Sequence, residues 1–190
     1  MNYLAHLHLG GTAPQQLLGS LYGDFVKGPL EGRFEPMLEA AIRLHRAIDS
    51  YTDSHPRVLT ALARFPSERR RYAGIVLDVF FDHCLARHWL DYAEQPLGQF
   101  TRRFYQVLLA EPELPGRLAG IAPFMAADDW LGAYGDFATL EPVFKGIARR
   151  LTRPEGMRGV MGELERLYDP LMDDFREFYP QLQEFAAARR

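Results

Sequence analysis

Groups that can bind a metal ion are concentrated between Leu44 and Pro56, in the sequence LHRAIDSYTDSHP. His45, Asp49 and Asp53 stand four residues apart, and on a helix each such step turns a side chain by only about 40° and raises it by about 6 Å. All three therefore lie on one face. Neutral imidazole and carboxylate are ligands for borderline-to-hard divalent cations. Pro56 then ends the helix, because the residue before a proline is disfavoured in the helical region.

The three residues of this face cannot all bind one ion. They climb about 12 Å along the helix, whereas metal–ligand bonds are only about 2 Å long. We therefore expect His45 and Asp49 to form one half of a site, completed by residues from other helices. Asp53 and His55 are then expected at the rim, where a substrate would enter.

A second group of polar residues interrupts a long apolar segment. Asp78 and Asp82 lie four apart among valines and phenylalanines, and a carboxylate in such surroundings must be paired, protonated or metal-bound. Two acids in one turn repel each other unless a cation lies between them. An ordinary buried salt bridge from Asp82 to Arg46 or Arg87 is an equally good explanation of this pair.

The neighbours Asp82 and His83 point about 100° apart on a helix. Both reach one ion only if the ion lies between their directions. Otherwise one is a ligand and the other supports it or carries a proton.

Two further places can contribute to a polar centre. Asp24 lies between Gly23 and an apolar stretch, where a glycine allows another backbone to come close. His6 and His8 stand two apart in an apolar N-terminal run, where a histidine is more often a structural residue than a ligand.

The remaining pattern indicates an all-α fold. Apolar residues recur at spacings of three and four almost throughout, and no segment alternates over a strand's length apart from a few residues between Leu4 and Leu9. Pro14 is expected in a first helical turn, and Ser67 is expected to cap a long central helix running to about Tyr92. Further helices are predicted near residues 57–65, 97–109, 115–131, 137–151 and 155–190, the last with a kink or break at Asp169-Pro170.

Composition restricts the class of protein. With 190 residues, 47% hydrophobic and 25% charged, the chain suits one globular domain over residues 1–190. No window approaches the roughly 20 apolar residues of a membrane span, and the net charge of −3 carries no nucleic-acid signature. A single cysteine, Cys84, excludes an internal disulfide framework. These features favour a cytoplasmic protein without a nucleic-acid or membrane partner, and they leave the oligomeric state open.

Several well-known catalytic motifs are absent. The sequence contains no Glu-x-x-His pair, no His-Glu-x-x-His, no glycine-rich phosphate loop and no Gly-x-Ser-x-Gly elbow. Metal-assisted hydrolysis remains, in which an ion lowers the pKa of a bound water and holds a phosphoryl oxygen.

Four blocks of the sequence resemble the acyl carrier protein phosphodiesterase family. They are MNYLAHLHL at the N-terminus, the GDFVKG run with the earlier Gly19, the HRxIDxYTDxHP block at residues 45–56, and RYAGIxxDxxxDH at residues 71–83. The resemblance implies an all-α fold, a divergent and distorted branch of the HD-type phosphohydrolases. In ordinary HD proteins the adjacent pair reads His-Asp, whereas here it is reversed as Asp82-His83.

The resemblance also implies an activity. Members of this family remove the 4′-phosphopantetheine arm from the serine of holo-acyl carrier protein (holo-ACP) with a divalent cation such as Mn²⁺ or Mg²⁺, leaving apo-ACP. The roles expected here are metal binding and catalysis by a central group, and support by a second group. The central group is Asp24, His45, Arg46, Asp49, Asp78, Asp82 and His83, with Asp24, His45, Asp49 and Asp78 as preferred ligands; the second group is His6, His8, Asp53 and His55.

Within the central group, Arg46 is expected to neutralise a phosphate oxygen. Asp82 or His83 is expected to complete the metal shell or to manage the proton of the attacking water.

Clusters of arginine offer a surface for an acidic partner such as ACP. Complementary charge accelerates association and loses its effect in salt. For any one cluster, a solvated helix face is also an adequate explanation. The arginines assigned to this surface are Arg69, Arg70, Arg71, Arg102 and Arg103.

Two other functions are compatible with the same residues. One is an HD-like hydrolase of a small nucleotide or phosphoester, which needs no docking surface. The other is a non-catalytic helical module that binds carrier proteins, whose His and Asp residues form structural ion pairs.

Overall fold

The computed structural model describes all 190 residues, and it contains helices but no strand. The all-α prediction is confirmed; the HD-like arrangement stays a prediction. No helix combines the length and apolarity needed to cross a membrane. The ten α-helices are α1 (Tyr3–Leu9), α2 (Pro14–Tyr22), α3 (Pro36–Ser54), α4 (Pro56–Ala63), α5 (Arg70–Arg87), α6 (Leu97–Ala110), α7 (Leu118–Ala127), α8 (Trp130–Ala133), α9 (Leu140–Ala148) and α10 (Val160–Ala187). Short 3₁₀ turns lie at Ser67–Arg69, Trp89–Asp91, Phe137–Thr139 and Pro154–Met157.

The core is one continuous cluster of 51 buried hydrophobic residues. Helix α5 runs through it and is buried on several sides, as the apolar residues on more than one of its sides predict. The long α10 packs across α5 through aromatic side chains, with the ring of Phe81 lying 5.4 Å from Phe175 and 6.0 Å from Phe178. These two helices form the base on which the site-bearing helices α1 and α3 rest.

Helices α2 and α3 approach each other closely because Gly19 faces α3 without a side chain. A Cβ at Gly19 would lie 2.5 Å from the Cβ of Ala41 and 2.6 Å from the carbonyl oxygen of Leu38. Real Cβ atoms do not approach this closely, so any larger residue would push the two helices apart. This contact fixes α3, and therefore His45, relative to α2.

Two helix boundaries lie where proline residues in the sequence predict them. Pro14 is the first residue of α2, where its missing N–H costs nothing. Helix α3 ends at Ser54, and His55 adopts an extended conformation (φ −72°, ψ 130°) immediately before Pro56.

Other boundary predictions were wrong. Ser67 does not cap the central helix; it begins a 3₁₀ turn, and its hydroxyl contacts Glu68 instead of the backbone. Helix α5 ends at Arg87, before a separate 3₁₀ turn, so it does not reach Tyr92. The predicted helix at 115–131 is divided at Asp129, whose positive φ of 42° ends helical geometry and whose side chain caps α8.

The expected break at Pro170 is also absent, because α10 continues through both Pro170 and Pro180. Each proline removes one backbone hydrogen bond. The apolar stripe of α10, including the fully buried Leu164 and Leu171, packs into the core on both sides of Pro170. Packing of this kind provides most of a helix's stability and outweighs the lost bond.

Candidate active site

His6, His45 and Asp49 converge at the contact between α1 and α3. The Nε2 atom of His6 lies 3.0 Å from Oδ1 of Asp49, and Nε2 of His45 lies 3.3 Å from Oδ2 of the same carboxylate. One ligand atom from each of the three residues lies within 4.8 Å of the others. The three side chains therefore form a His/Asp group that can hold one metal ion, and we call these three residues the metal-binding group.

The sequence around α2 positions His45. Its Nδ1 atom donates a hydrogen bond to the backbone carbonyl of Ser20 at 2.7 Å. Its ring lies directly over Gly23, where an added Cβ would collide with the imidazole carbons. Because α2 provides both the acceptor and the space, the ring of His45 is held in one orientation with Nε2 towards Asp49.

Asp82 positions His6 through the backbone of α1. The N–H groups of Leu4 and Ala5 donate to its two carboxylate oxygens at 2.7 and 3.1 Å. Asp82 is completely buried, and burial raises its pKa to about 7 even though these two hydrogen bonds oppose the shift. Neither Arg46 nor Arg87 pairs with it, so the proposed salt bridge is absent. The carboxyl group instead anchors the first turn of α1, which carries His6.

The electrostatics of the three residues suit metal binding. Burial lowers the pKa of His6 to about 4, assisted by repulsion from His45, so the His6 ring is neutral at physiological pH. Burial would raise the pKa of Asp49, but the contacts of its carboxylate with the rings of His45 and His6 lower it well below its usual value. The group therefore offers a carboxylate and a neutral imidazole at neutral pH.

The hydrogen bonding of His45 provides a test of whether a cation fits here. Its Nδ1 proton is committed to the carbonyl of Ser20, so the neutral ring presents a lone pair at Nε2. That lone pair points at a carboxylate oxygen of Asp49, and two acceptors facing each other at 3.3 Å require a proton or a cation between them. The donor set of two imidazole nitrogens and one carboxylate oxygen, with further positions open, is typical of a catalytic metal site.

Asp78 lies beside this group and shares a positive partner with it. The α-amino group of Met1 lies 2.9 Å from Asp78 and 3.7 Å from Asp49. Burial lowers the pKa of this amine, but the two carboxylates more than reverse that effect and raise it. Asp49 and Asp78 are both half-exposed, so the carboxylate cluster is open to solvent on one side.

Asp24 and Arg46 are the remaining members of the predicted central group. Burial raises the pKa of the Tyr3 hydroxyl, and the negative charge of Asp24 adds to that shift. Arg46 donates one hydrogen bond to the carbonyl of Val26 at 3.0 Å. A guanidinium has five N–H donors, so most of this group stays available to a ligand.

His83 and His8 are engaged elsewhere. The two ring nitrogens of His83 contact the carbonyl oxygen of Tyr134 and the hydroxyl of Tyr168, each at 2.7 Å. His8 contacts the hydroxyl of Tyr179 at 2.7 Å and the carbonyl oxygen of Tyr92 at 3.1 Å. With both nitrogens occupied, each histidine ties α1 or α5 to its neighbours, and neither joins the metal-binding group.

Asp53 lies beyond the metal-binding group on α3, and His55 follows the end of that helix. His55 is buried, and its Nδ1 atom accepts a hydrogen bond from the backbone N–H of Arg57 at 3.2 Å, which caps α4. Its ring packs 4.8 Å from Phe178. Asp53 is exposed one turn after Asp49. His55 is therefore positioned as a helix cap, and Asp53 remains on the surface near Asp49.

The sequence places His6 only in the supporting group and gives no indication of most of the residues that orient His45. The structure brings His6 beside His45 and Asp49, and this position depends on the buried bonds from α1 to Asp82. Gly23 carried a recognisable signal, since a glycine before an apolar-flanked acid permits close approach. Ser20 carried none, because its contribution is a backbone carbonyl that any residue possesses.

The arginines assigned to partner binding divide into two kinds. Arg69 is committed to the fold, because it pairs with Glu163 at 2.7 Å and donates to the carbonyls of Gly156 and Arg158. Arg103 donates to the carbonyl of Thr12 at 2.8 Å but stays exposed. Arg70, Arg71 and Arg102 are exposed and make no ion pair with an acidic residue of the chain.

Comparison with known proteins identifies the family. The family model described as "Acyl carrier protein phosphodiesterase" matches residues 1–182. The chain belongs to the acyl carrier protein phosphodiesterase family. Proteins of that name from Escherichia coli O45:K1 (strain S88 / ExPEC) and Serratia proteamaculans (strain 568) are each 39% identical, over 100% and 98% of this chain and 99% and 97% of their own. The protein of that name from Escherichia coli (strain K12 / DH10B) is 38% identical over 100% of this chain and 99% of its own. No solved structure gives a significant match.

Proposed function

We propose that this chain is an acyl carrier protein phosphodiesterase that hydrolyses the phosphodiester between 4′-phosphopantetheine and the serine of holo-ACP, leaving apo-ACP. Membership of the family supports the reaction. The convergence of His6, His45 and Asp49 on one point is the observation that supports a metal-dependent mechanism.

In this proposal a divalent ion is held by Nε2 of His6, Nε2 of His45 and the carboxylate of Asp49. When bound, such an ion lowers the pKa of water and polarises a phosphoryl oxygen. Between the two ions expected from the sequence, the donor set favours Mn²⁺. Mg²⁺ prefers an all-oxygen environment, whereas two of the three donors here are imidazole nitrogens.

The other charged groups of the region complete the proposed mechanism. Asp78 shares the Met1 amino group with Asp49, and we assign to Asp78 and Asp24 additional metal contacts or acceptance of a proton from the attacking water. Arg46 neutralises a non-bridging phosphate oxygen with the N–H donors that Val26 leaves free. Asp82 is a positioning residue that holds α1, and we do not retain His83, His8 or His55 in the reacting group.

The exposed arginines Arg70, Arg71, Arg102 and Arg103 are proposed to meet the acidic surface of the carrier protein. Positive side chains at a rim accelerate the encounter with an acidic partner. The 190 residues would act as one domain, and the lone, buried Cys84 suits the reducing cytoplasm.

A mass-spectrometric assay tests the proposal directly. Purified protein, freed of metal with a chelator and resupplied with Mn²⁺, is expected to convert holo-ACP to apo-ACP with release of 4′-phosphopantetheine. Asp49→Asn keeps the shape of the side chain but removes its charge, and it should abolish both metal binding and turnover. Asp173→Asn, an exposed position on α10, is the matched control and should behave as the wild-type protein.

Each alternative function makes a different prediction in this assay. A hydrolase of small phosphoesters would cleave a chromogenic diester and leave holo-ACP intact. A non-catalytic binding module would retain ACP on a column but bind no metal and release no arm. Either result would overturn the proposal.

A further inference from the structure

A cavity of about 550 Å³ opens beside the metal-binding group, between the start of α1 and the helices α7, α8 and α9. This volume lies within the range of pockets that hold small-molecule ligands. Its wall includes apolar side chains from α7 and α9 together with aromatic and basic residues. Those that carry the argument are Tyr3, Arg117, Ile121, Val143, Ile147 and Arg150.

Consecutive residues at the start of the chain link the cavity wall to the carboxylates beside the metal-binding group. Asn2 and Tyr3 form part of the cavity wall, whereas the α-amino group of Met1 contacts the carboxylates of the cluster. Since successive Cα atoms are about 3.8 Å apart, the Cα of Tyr3 lies within about 8 Å of that of Met1. The start of α1 therefore lines the cavity through Asn2 and Tyr3 and contacts the carboxylates of Asp49 and Asp78 through Met1.

The two arginines lie on this same side of the cavity. The guanidinium of Arg117 lies 5.3 Å from the ring centre of Phe25, and that ring stacks on Tyr3 at 6.2 Å. The positive charges of both Arg117 and Arg150 act on the hydroxyl of Tyr3. The cavity wall thus carries two arginines and one acidic residue, Asp128, while Ile121, Val143 and Ile147 leave an apolar lining.

The wall near α1 is rigidly built. The side-chain amide of Asn2 donates to the hydroxyl of Tyr134 at 2.7 Å, and Tyr134 is buried and forms part of the wall. This bond ties the start of α1 to the segment after α8. This part of the cavity wall is therefore held by a hydrogen bond between two segments that are distant in the sequence.

We propose that this cavity binds the pantetheine arm of the substrate, with Arg117 and Arg150 beside its phosphate and the remainder of the arm along Ile121, Val143 and Ile147. The assignment rests on the proposed function, which requires a long arm to extend away from the phosphodiester. Pantetheine suits this lining because it carries a dimethyl group and methylene segments, with two amides between them. Asn2 and Thr139 in the wall supply polar atoms that can pair with the amides.

Gly146 offers a way to fill the cavity without disturbing the fold. It forms part of the wall, it lies within α9, and a Cβ added there meets no atom within 4 Å. Gly146→Phe therefore projects a ring into open space, and replacing a helical glycine favours the helix. Gly162→Phe is the matched control, because Gly162 lies within α10, is equally unobstructed and is not part of the cavity.

Binding of free pantetheine, measured by titration calorimetry with metal-free protein, tests the cavity independently of turnover. The wild-type protein and Gly162→Phe should bind pantetheine equally, and Gly146→Phe should bind it at least about tenfold more weakly, because the ring occupies the same volume. 4′-Phosphopantetheine should bind more tightly than pantetheine, and Arg150→Gln should reduce that advantage. Equal binding of pantetheine by Gly146→Phe and wild type, or no binding by the wild type at millimolar concentration, would overturn the proposal.

Turnover separates this inference from the proposed function. Gly146→Phe should lower kcat/KM for holo-ACP, mainly through KM, by more than it lowers hydrolysis of bis(p-nitrophenyl) phosphate, which has no arm. An equal loss on both substrates would count against the cavity as the arm site. If the wild-type protein binds pantetheine but never releases it from holo-ACP, the result contradicts the proposed reaction and still supports the cavity as a pantetheine-binding site.

Discussion

The imidazole rings of His6 and His45 lie face to face, with their centroids 3.6 Å apart and their planes within 15° of parallel. Each ring directs Nε2 at a different oxygen of Asp49. Two stacked imidazolium cations would repel each other strongly in a buried site, so at least one ring must be neutral. A neutral imidazole beside a second one and a carboxylate can serve as a ligand set for a metal ion, and the two histidines come from different helices, α1 and α3.

This pairing predicts that His6 is needed for metal binding as much as His45. His6→Gln keeps a polar side chain of moderate size but removes the imidazole nitrogen, and it should weaken Mn²⁺ binding and lower kcat on holo-ACP by at least about 100-fold. Metal content by elemental analysis and turnover by mass spectrometry measure the two effects. His88→Gln, at a half-buried surface ion pair with Asp91, should retain both; a metal-replete His6→Gln enzyme would contradict the ligand assignment.

A second prediction concerns the glycine beneath His45. Gly23→Ala places a methyl group against the His45 ring, and because the backbone at Gly23 is helical (φ −51°), alanine itself adopts it without strain. The ring must therefore move, breaking the hydrogen bond to Ser20. We expect about a 10- to 100-fold loss of metal affinity with the helical content retained.

Gly74→Ala is the control for this substitution. Gly74 also lies in a helix, but a Cβ there meets no atom within 4 Å. Its metal affinity should equal that of the wild type. If Gly23→Ala also bound metal with the affinity of the wild type, then α2 would not be what orients His45.

The helices were predictable from sequence because their information is local. Apolar spacing, Pro14 and Pro56 located α2 and α3 to within a few residues. The failures at Asp129 and Pro170 arose where tertiary packing or a left-handed residue decided the boundary. Neither can be read from a window of neighbouring residues.

The site was predictable only in part for the same reason. His45 and Asp49 share one helix face, so their proximity follows from a spacing of four. The approach of His6 depends on a buried carboxylate, Asp82, that accepts hydrogen bonds from a segment 77 or 78 residues away. A sequence marks such a carboxylate as unusual, but it does not show whether the partner is a metal, an arginine or a helix terminus.

A third prediction concerns the encounter with the carrier protein. Arg102 is exposed on α6 and makes no ion pair within the chain, so Arg102→Glu should lower kcat/KM for holo-ACP without affecting the fold. At low ionic strength we expect roughly a 3- to 10-fold loss that shrinks in about 0.5 M salt, since screening weakens charge attraction between exposed groups. Kinetics at several salt concentrations measure it.

Two other arginines make this charge reversal interpretable. Arg87→Glu changes the net charge equally at an exposed position outside the assigned surface, and its salt dependence should match the wild type. Arg69→Glu should instead lower the melting temperature, because Arg69 is largely buried and paired with Glu163. Identical salt dependence for Arg102→Glu and Arg87→Glu would remove Arg102 from the docking surface.

The last prediction concerns pH and the carboxyl group of Asp82. In the folded protein burial raises its pKa from 3.8 to about 7, so between these values the unfolded chain releases a proton that the folded protein keeps. The unfolded state then binds fewer protons, and this group's contribution to stability falls as pH rises from about 4 to about 7 and levels off above. A shift of about three pKa units corresponds to roughly 4 kcal/mol. His6 has the opposite effect on stability. Because its pKa is lowered to about 4 in the folded protein, its contribution to stability rises with pH over much of the same pH range.

Asp82→Asn isolates the contribution of Asp82 from that of His6. The variant cannot ionise at this position, and its amide has only one oxygen for the two N–H groups of α1, so it should be less stable than wild type at pH 4. The difference in unfolding free energy between wild type and variant should then narrow by roughly 4 kcal/mol as pH rises to 7. Urea unfolding of metal-free protein across this range measures the difference, with Asp173→Asn as the control. If the unfolding free energies of wild type and Asp82→Asn change with pH in parallel, the carboxyl group ionises normally despite its burial.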